Sequence, residues 1–457
     1  MADPERIHRT WLHSGRVFPR VFISPVLEFM QLEAASGVVM LIAALVAVIW
    51  ANLPGGESYE RFWEIAVNLH IGGFVLNETL REVVNDGLMT IFFFVVGLEI
   101  KRELAVGELR DPKAAALPVV AALGGMIFPA LIYLAFVHDL GPSAIRGWGV
   151  PVATDIAFSV GVLALVSKRV PLGAKLFLLT LAIADDIGGI MVIAIFYTHN
   201  LAVFYLLGAI ALFGLVKVAE RAGIRASAFY WVVGLIIWYF MLESGVHPTL
   251  TGVFLGLLTP ALAMYSDKEY YEKSAYLLKA FGPEESSRHS QARADHGARQ
   301  VVSVASESIP PLNRLEHALA PWSSFFVIPV FALANAGVRF AGVSLLTELT
   351  SKVTLGVGIG LLVGKFVGVS LFTGIAVKLG IGKLPKNTTW HHLFGVALLA
   401  GVGFTVALFI ATLAFVDIQH IDKAKTGIFA GSILAGLLGY AYLRFFTKPI
   451  ETDQLGE

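Results

Sequence analysis

The sequence predicts an all-α polytopic membrane protein of about twelve transmembrane helices, and three observations carry that prediction. Of its 457 residues 56% are hydrophobic and only 15% charged, whereas ordinary soluble domains carry about 25% charged residues. Uninterrupted apolar stretches of helix-spanning length recur from residue 36 to residue 443. Lysine and arginine alternate between the connections in the way that orients membrane spans: 26 of the 34 fall in segments that would be inside and 7 in segments that would be outside, when the N-terminus is placed inside.

The first 35 residues are polar, carry Arg6, Arg9, Arg16 and Arg20, and show no apolar core or cleavage site of a signal peptide, so none is expected to be removed. The spans are expected near 36–52, 83–100, 114–137, 149–166, 171–198, 201–216, 227–243, 246–264, 322–338, 353–377, 390–416 and 426–443, which places both termini in the cytoplasm. Residues 53–82 are too polar to span and form an outside amphipathic segment of turns or a hairpin. Residues 265–320 form a hydrophilic cytoplasmic loop, whose 265–313 part is rich in Ser, Ala and charge and reads as mobile and partly helical. The whole chain, 1–457, is then one transmembrane domain.

Composition also excludes function classes. A net charge of zero gives no basic footprint for nucleic acid, and the absence of cysteine removes disulfides, thiolate metal sites and cysteine nucleophiles. No cofactor motif is present. No intramembrane-protease signature of G-x-G-D, H-E-x-x-H or G-x-S-G type is present either, so the chain is not expected to be an enzyme.

Charges inside spans carry the chemistry. Asp185 and Asp186 stand at the middle of 171–198; the bland alternative, a tight loop between two helices, leaves about a dozen residues on each side, too few to cross roughly 30 Å of hydrocarbon. Lys365 stands at the middle of 353–377, as a structural salt bridge or as a participant in ion chemistry. Thr154 and Asp155 follow Pro151 and precede an apolar run, which signals a helix break and an N-cap. Gly401, Gly403, Phe404 and Thr405 mark a second break in 390–416. Each mid-membrane Asp or Lys costs roughly 2.5–3.5 kcal/mol, so these groups must be paired, hydrated or neutralised. Two adjacent aspartates that hold either protons or a small hard cation through oxygen atoms are the minimum for exchanging the two, and oxygen ligands favour Na⁺, Li⁺ or Ca²⁺ over soft metals. Spans three to five begin inside and spans ten to twelve begin outside, each set with an interrupted middle member. That is the pattern of an inverted-topology repeat with two broken helices crossing near the midplane.

The stretches VPVATDIAFSVGVLALVSKRVP (150–171), LAIADDIGGIMVIAIFYT (181–198), VGLEIKREL (96–104), SGVHPTLTGV (244–253), RLEHALAPW (314–322), PVFALANAGV (329–338), VGKFVGVSLF (363–372) and GVGFTVALFIATLAF (401–415) resemble, in the same order, the NhaA-type Na⁺/H⁺ antiporters. The resemblance covers about residues 30 to 445; the 265–313 loop looks longer than the family's usual connection. It implies a proton-driven, pH-activated, electrogenic secondary transporter of Na⁺ or Li⁺ in the bacterial inner membrane. It assigns ion binding and proton carriage to Asp185 and Asp186, with Asp186 the more direct ligand. It pairs Lys365 with Asp185 when Na⁺ is absent, and it sets Thr154 and Asp155 at the crossing of the broken helices. It also implies pH response at Glu99, Glu103, Glu316 and His317, with His247 a further candidate, and a homodimer joined through a β-hairpin within 53–82. For the pH residues the plain alternative is solvated charges at helix ends. The rival function is another proton-coupled secondary transporter of a small ion; a carrier of organic anions would want an intramembrane arginine, and no central span has one.

Overall fold

A chain this apolar has to satisfy its backbone hydrogen bonds within each segment, and the described residues are helical almost throughout. The computed structural model describes residues 35–449 apart from 72–73, 199–200, 224–226, 281–287 and 340–344. Arg6, Arg9, Arg16 and Arg20 of the charge count, and the C-terminal residues beyond 449, lie outside the described residues.

Helix α1 (Ala35–Asn52) leads to a short α2 (Glu57–Trp63) and an antiparallel hairpin of β1 (Ala66–Ile71) and β2 (Phe74–Thr79), with Asn68 opposite Asn77. Then come α3 (Leu80–Ala105), α4 (Pro112–Val137), the bent pair α5 (Pro142–Val152) and α6 (Ile156–Leu165), and α7 (Leu172–Phe196). Next are α8 (Val203–Arg221), α9 (Ser227–Glu243), α10 (Leu250–Leu258), α11 (Asp267–Ala280) and α12 (Arg288–Glu307). The chain ends with α13 (Pro311–Asn335), α14 (Leu345–Leu349), α15 (Lys352–Lys378), a second bent pair of α16 (Trp390–Leu399) and α17 (Phe404–Ala414), and α18 (Ile418–Phe446). The two bends are 43° and 44°. Among the described residues eight helices are long and apolar enough to cross a membrane, ten when each bent pair counts as one span.

A total of twelve spans requires α9 and α10 as well. Helix α10 has nine residues, about 14 Å at 1.5 Å per residue, so the stretch expected to span over 246–264 is helical for only part of its length. Pro248 and the turn at 244–249 delay its start, and Pro260 follows its end. Elsewhere helices outrun the apolar stretches: α3 starts at Leu80 on a Thr79–Glu82 capping box, α13 starts at Pro311 instead of 322, and α18 runs from Ile418 on an Asp417 cap. Their ends are amphipathic, so apolarity alone understates them.

The chain divides into two compact units, residues 1–89, 111–198 and 324–457 in the first and 90–110 and 199–323 in the second. In the first, α4 is central and packs on α15, α7 and α5, while α18 packs on α15 and α16 and the end of α13 packs on α1. Glycine makes the α4–α15 approach possible: a Cβ on Gly124 would lie 2.3 Å from the Gly368 carbonyl oxygen, and one on Gly368 would lie 2.1 Å from the Gly124 carbonyl oxygen. Leu117, Leu178, Leu181, Val396 and Leu399 fill the space between these helices, while Ile42, Leu131, Ile195 and Leu437 are exposed. Apolar residues on both inner and outer faces are what a lipid solvent demands. In the second unit α8 packs on α9, α11 on α12, and the 90–105 part of α3 meets α10 where Gly97 faces Val253 and Gly256.

Candidate ion-exchange site

Helix α7 runs without interruption through Asp185 and Asp186, which removes the tight-loop alternative. Asp185 is completely buried and Asp186 nearly so, at 7% exposure. The Lys365 ammonium donates to Asp185 Oδ2 at 2.6 Å, with both side chains fully buried. The turn before the lysine explains how α15 delivers it: Gly360–Gly364 is a π-helical turn packed on Pro129 of α4, where a Cβ on Gly364 would lie 2.7 Å from Pro129 Cα. A widened turn rotates the residues after it relative to an unbroken α-helix. The stem of Lys365 then runs past Gly125, its Nζ 3.7 Å from where a Cβ would stand.

At the break within each bent pair, residues 153–155 and 400–403 are non-helical, and the two breaks are bonded to one another. The Thr154 hydroxyl lies 2.7 Å from Asp185 Oδ2 and 2.8 Å from the Ala400 carbonyl oxygen, and the Asp155 N–H donates to the Val402 carbonyl at 2.6 Å. Asp155 caps two helices at once. Its Oδ1 accepts from the Phe158 N–H of α6 at 3.0 Å, and its Oδ2 accepts from the Thr405 N–H and hydroxyl of α17 at 3.1 and 2.6 Å. One carboxylate thus faces the positive ends of two helices. Both of its oxygens accept hydrogen bonds in that capping, so Asp155 ties the two breaks together. Asp185 Oδ1, by contrast, is buried and accepts no hydrogen bond from the described residues.

Sequence reasoning singled out Asp185, Asp186, Lys365, Thr154 and Asp155, and the structure brings Asp185, Lys365 and Thr154 into direct contact. It named Thr405 only as part of a helix break, and it missed Ser159 and Ser432. Thr405 shares the Asp155 cap, Ser159 donates to the Leu399 carbonyl at 2.9 Å, and Ser432 of α18 accepts from the Gly403 N–H at 3.2 Å. Ser159 is one turn after Asp155, a signal that was available; Ser432 has none, since only the tertiary fold brings it there.

The pH-response candidates fall in the second unit. Arg102 forms an ion pair with Glu316 and lies 3.9 Å from Glu103, and Glu103 Oε2 accepts from the Glu108 N–H at 3.0 Å. Glu99 lies within electrostatic reach of all three. His317 follows Glu316 on α13 and is exposed. His247 precedes α10 and bonds through Nδ1 with the Thr249 hydroxyl at 2.8 Å. Arg102, the cation that joins these acids, was not singled out from the sequence.

A family model described as Na⁺/H⁺ antiporter 1 matches residues 27–443. A protein from Sorangium cellulosum named Na(+)/H(+) antiporter NhaA 2 is 43% identical over 447 residues, covering 98% of this chain and 95% of that protein. One from Syntrophobacter fumaroxidans named Na(+)/H(+) antiporter NhaA is 44% identical over 443 residues, covering 94% and 92%. The solved structure of the sodium proton antiporter MjNhaP1 from Methanocaldococcus jannaschii aligns over 95% of this chain and 100% of that one at 12% identity with a TM-score of 0.46.

Proposed function

The chain belongs to the Na⁺/H⁺ antiporter 1 family, and from that premise we propose that it exports Na⁺ or Li⁺ across the bacterial inner membrane in exchange for entering protons, at Asp185 and Asp186. The observation that carries this reading is the fully buried Asp185–Lys365 pair with a second carboxylate next to it on the same helix. Breaking a buried pair by removing one partner typically costs about 3–5 kcal/mol, so the lysine leaves Asp185 only when another cation takes its place. Na⁺ as cargo supplies that cation, held by the oxygens of Asp185 and Asp186.

Charge counting then gives the coupling. With a proton on Asp186 and the Asp185–Lys365 pair closed, the site is neutral. With Na⁺ bound to two carboxylates and the lysine stripped of its proton, it carries one negative charge. Two protons therefore move against one Na⁺, and one net charge moves across the membrane per cycle. That charge is worth about 2.3 kcal/mol per 100 mV, enough for an inside-negative potential to drive Na⁺ outward. The decisive measurement is Na⁺-driven pH change in everted vesicles. Asp186→Asn is expected to insert and fold but to lose Na⁺-dependent proton movement; normal exchange by this variant would overturn the site.

Two further parts of the reading belong here. Hydrogen bonds and ion pairs join residues that the charge rule assigns to one side: Asn52 with Val338 and Lys352 with Asp139 outside, Arg169 with Thr447 and Arg102 with Glu316 inside. This supports the alternation of the connections, and the charge rule then sets both termini on the cytoplasmic side. The long, bent, long order of α4, α5/α6, α7 and again of α15, α16/α17, α18 supports the inverted repeat, and the β1–β2 hairpin offers open strand edges for a second copy. The Glu99, Arg102, Glu103 and Glu316 cluster is the candidate for pH control because three carboxylates gather around one arginine, away in sequence from the exchange pair. Glu316→Gln is expected to shift the activity–pH profile even at saturating Na⁺; profiles that superimpose on the parent at every Na⁺ concentration would leave competition between Na⁺ and H⁺ as sufficient.

A further inference from the structure

A second buried lysine, Lys425, stands far along the sequence from the exchange site and has no part in the mechanism above. It lies in the first turns of α18, 6% exposed, with Nζ 3.3 Å from the Gly337 carbonyl oxygen and 3.7 Å from Asp422 Oδ1. Gly337 belongs to the irregular segment 336–339 after α13, and neutral groups fix this segment from the other side. The Tyr59 hydroxyl accepts from the Gly337 N–H at 3.1 Å and lies 2.8 Å from the Ala334 carbonyl oxygen, and Asn52 donates to the Val338 carbonyl at 2.6 Å.

The segment is thus held by α1 and α2 through an amide and a phenol, and by α18 through an ammonium. Helix α18 is also a helix of the exchange site. It packs on α15, where a Cβ on Gly431 would lie 3.0 Å from Gly358 Cα, and its Ser432 accepts from the break at Gly403. The charge rule puts Asn52, Tyr59, Gly337 and Lys425 at the same, outer, end. Transport by alternating access requires the contacts closing one end to part when the site opens there. Asp422, one turn before it on the same helix, already forms an ion pair with it at 3.7 Å, so an ammonium that leaves the Gly337 carbonyl has a charged partner on which to close to hydrogen-bond distance.

We propose that Lys425 is the outer latch of the antiporter: shared between the Gly337 carbonyl and Asp422 it holds the outer end closed, and drawn off the carbonyl onto Asp422 alone it lets that end open. The inference rests on the exchange reading above only for its link to transport. Opening itself is measured separately, because the chain contains no cysteine and a single one can be introduced at the fully buried Ala336.

In the Ala336→Cys protein in right-side-out vesicles, Lys425→Met is expected to raise the rate of labelling by an impermeant maleimide several-fold, Lys425→Arg to leave it near the parent rate, and Asp422→Asn to lower it. Equal rates for Lys425→Met and parent would overturn the latch, and so would a change of the same sign in Lys425→Met and Asp422→Asn. Should Lys425→Met fail to insert, Asp422→Asn alone decides by its direction. For the link to transport, the ratio of the KM for Na⁺ measured at the outer face to that at the inner face is expected to fall in Lys425→Met, since a ligand senses the fraction of sites open to its side; a purely structural loss would move both by one factor. A parent protein with no Na⁺-dependent proton movement would sink the exchange reading while the labelling rates still judge the latch.

Discussion

Asp185 and Lys365 are 180 positions apart in sequence and 2.6 Å apart in space. Their charges were legible because a carboxylate and an ammonium inside apolar spans demand each other, but the contact was assigned by family resemblance, since no local pattern encodes it. Thr154 and Asp155 were legible as a cap, and half of what Asp155 does was not: the α17 end it shares arrives from 250 positions away. The pairing makes a thermodynamic prediction. Lys365→Ala leaves a buried unpaired acid and should cost about 3–5 kcal/mol of unfolding free energy or an equivalent loss of Na⁺ affinity. The same substitution should cost much less in an Asp185→Asn background. Calorimetric or denaturant midpoints for the four proteins of that cycle check it, and strictly additive losses would mean that the two side chains do not act as a pair.

Helix existence was easier to read than helix extent. Apolar runs located every long apolar helix among the described residues, yet they passed over the 20-residue polar α12, and α13 gained a full amphipathic stretch, including Glu316 and His317, that hydropathy assigned to a loop. Proline misleads in the other direction: Pro118 and Pro129 lie inside a continuous α4, tolerated where neighbouring helices replace the lost bonds. The π turn of α15 has no sequence signature beyond its glycines. What the glycines do is visible only in the pairing of α4 with α15. At that crossing Gly124→Leu meets backbone and the Phe372 ring at once, so it is expected to separate the helices, move Lys365 away from Asp185 and abolish exchange. Gly214→Leu, where a Cβ meets nothing, is the control and should transport as the parent does. Activity of both in everted vesicles, at matched membrane abundance, decides the point.

For the whole molecule, apolarity gave the class, charge asymmetry an expected topology, and the family resemblance the exchanged ions. Among the described residues the number of spans stays between the eight to ten long apolar helices and the twelve expected from the sequence, because α9 and α10 are short. Orientation is open to direct test. Asn68 in the hairpin and Lys383 between α15 and α16 are both exposed, and the topology sets them on opposite sides. Asn68→Cys should react with an impermeant maleimide in intact cells and Lys383→Cys only in everted vesicles; the reverse pattern would invert the topology.

The Thr154 hydroxyl has one hydrogen and two acceptors, Asp185 Oδ2 at 2.7 Å and the Ala400 carbonyl at 2.8 Å. While Asp185 is ionised, the charged oxygen is the stronger acceptor. On the exchange reading proposed above, a proton on that oxygen, which the Lys365 ammonium also contacts, would leave the carbonyl that ends α16 as the better acceptor. A rotation about a single C–O bond would then make the occupancy of one helix audible to the broken end of another, without any backbone having moved first.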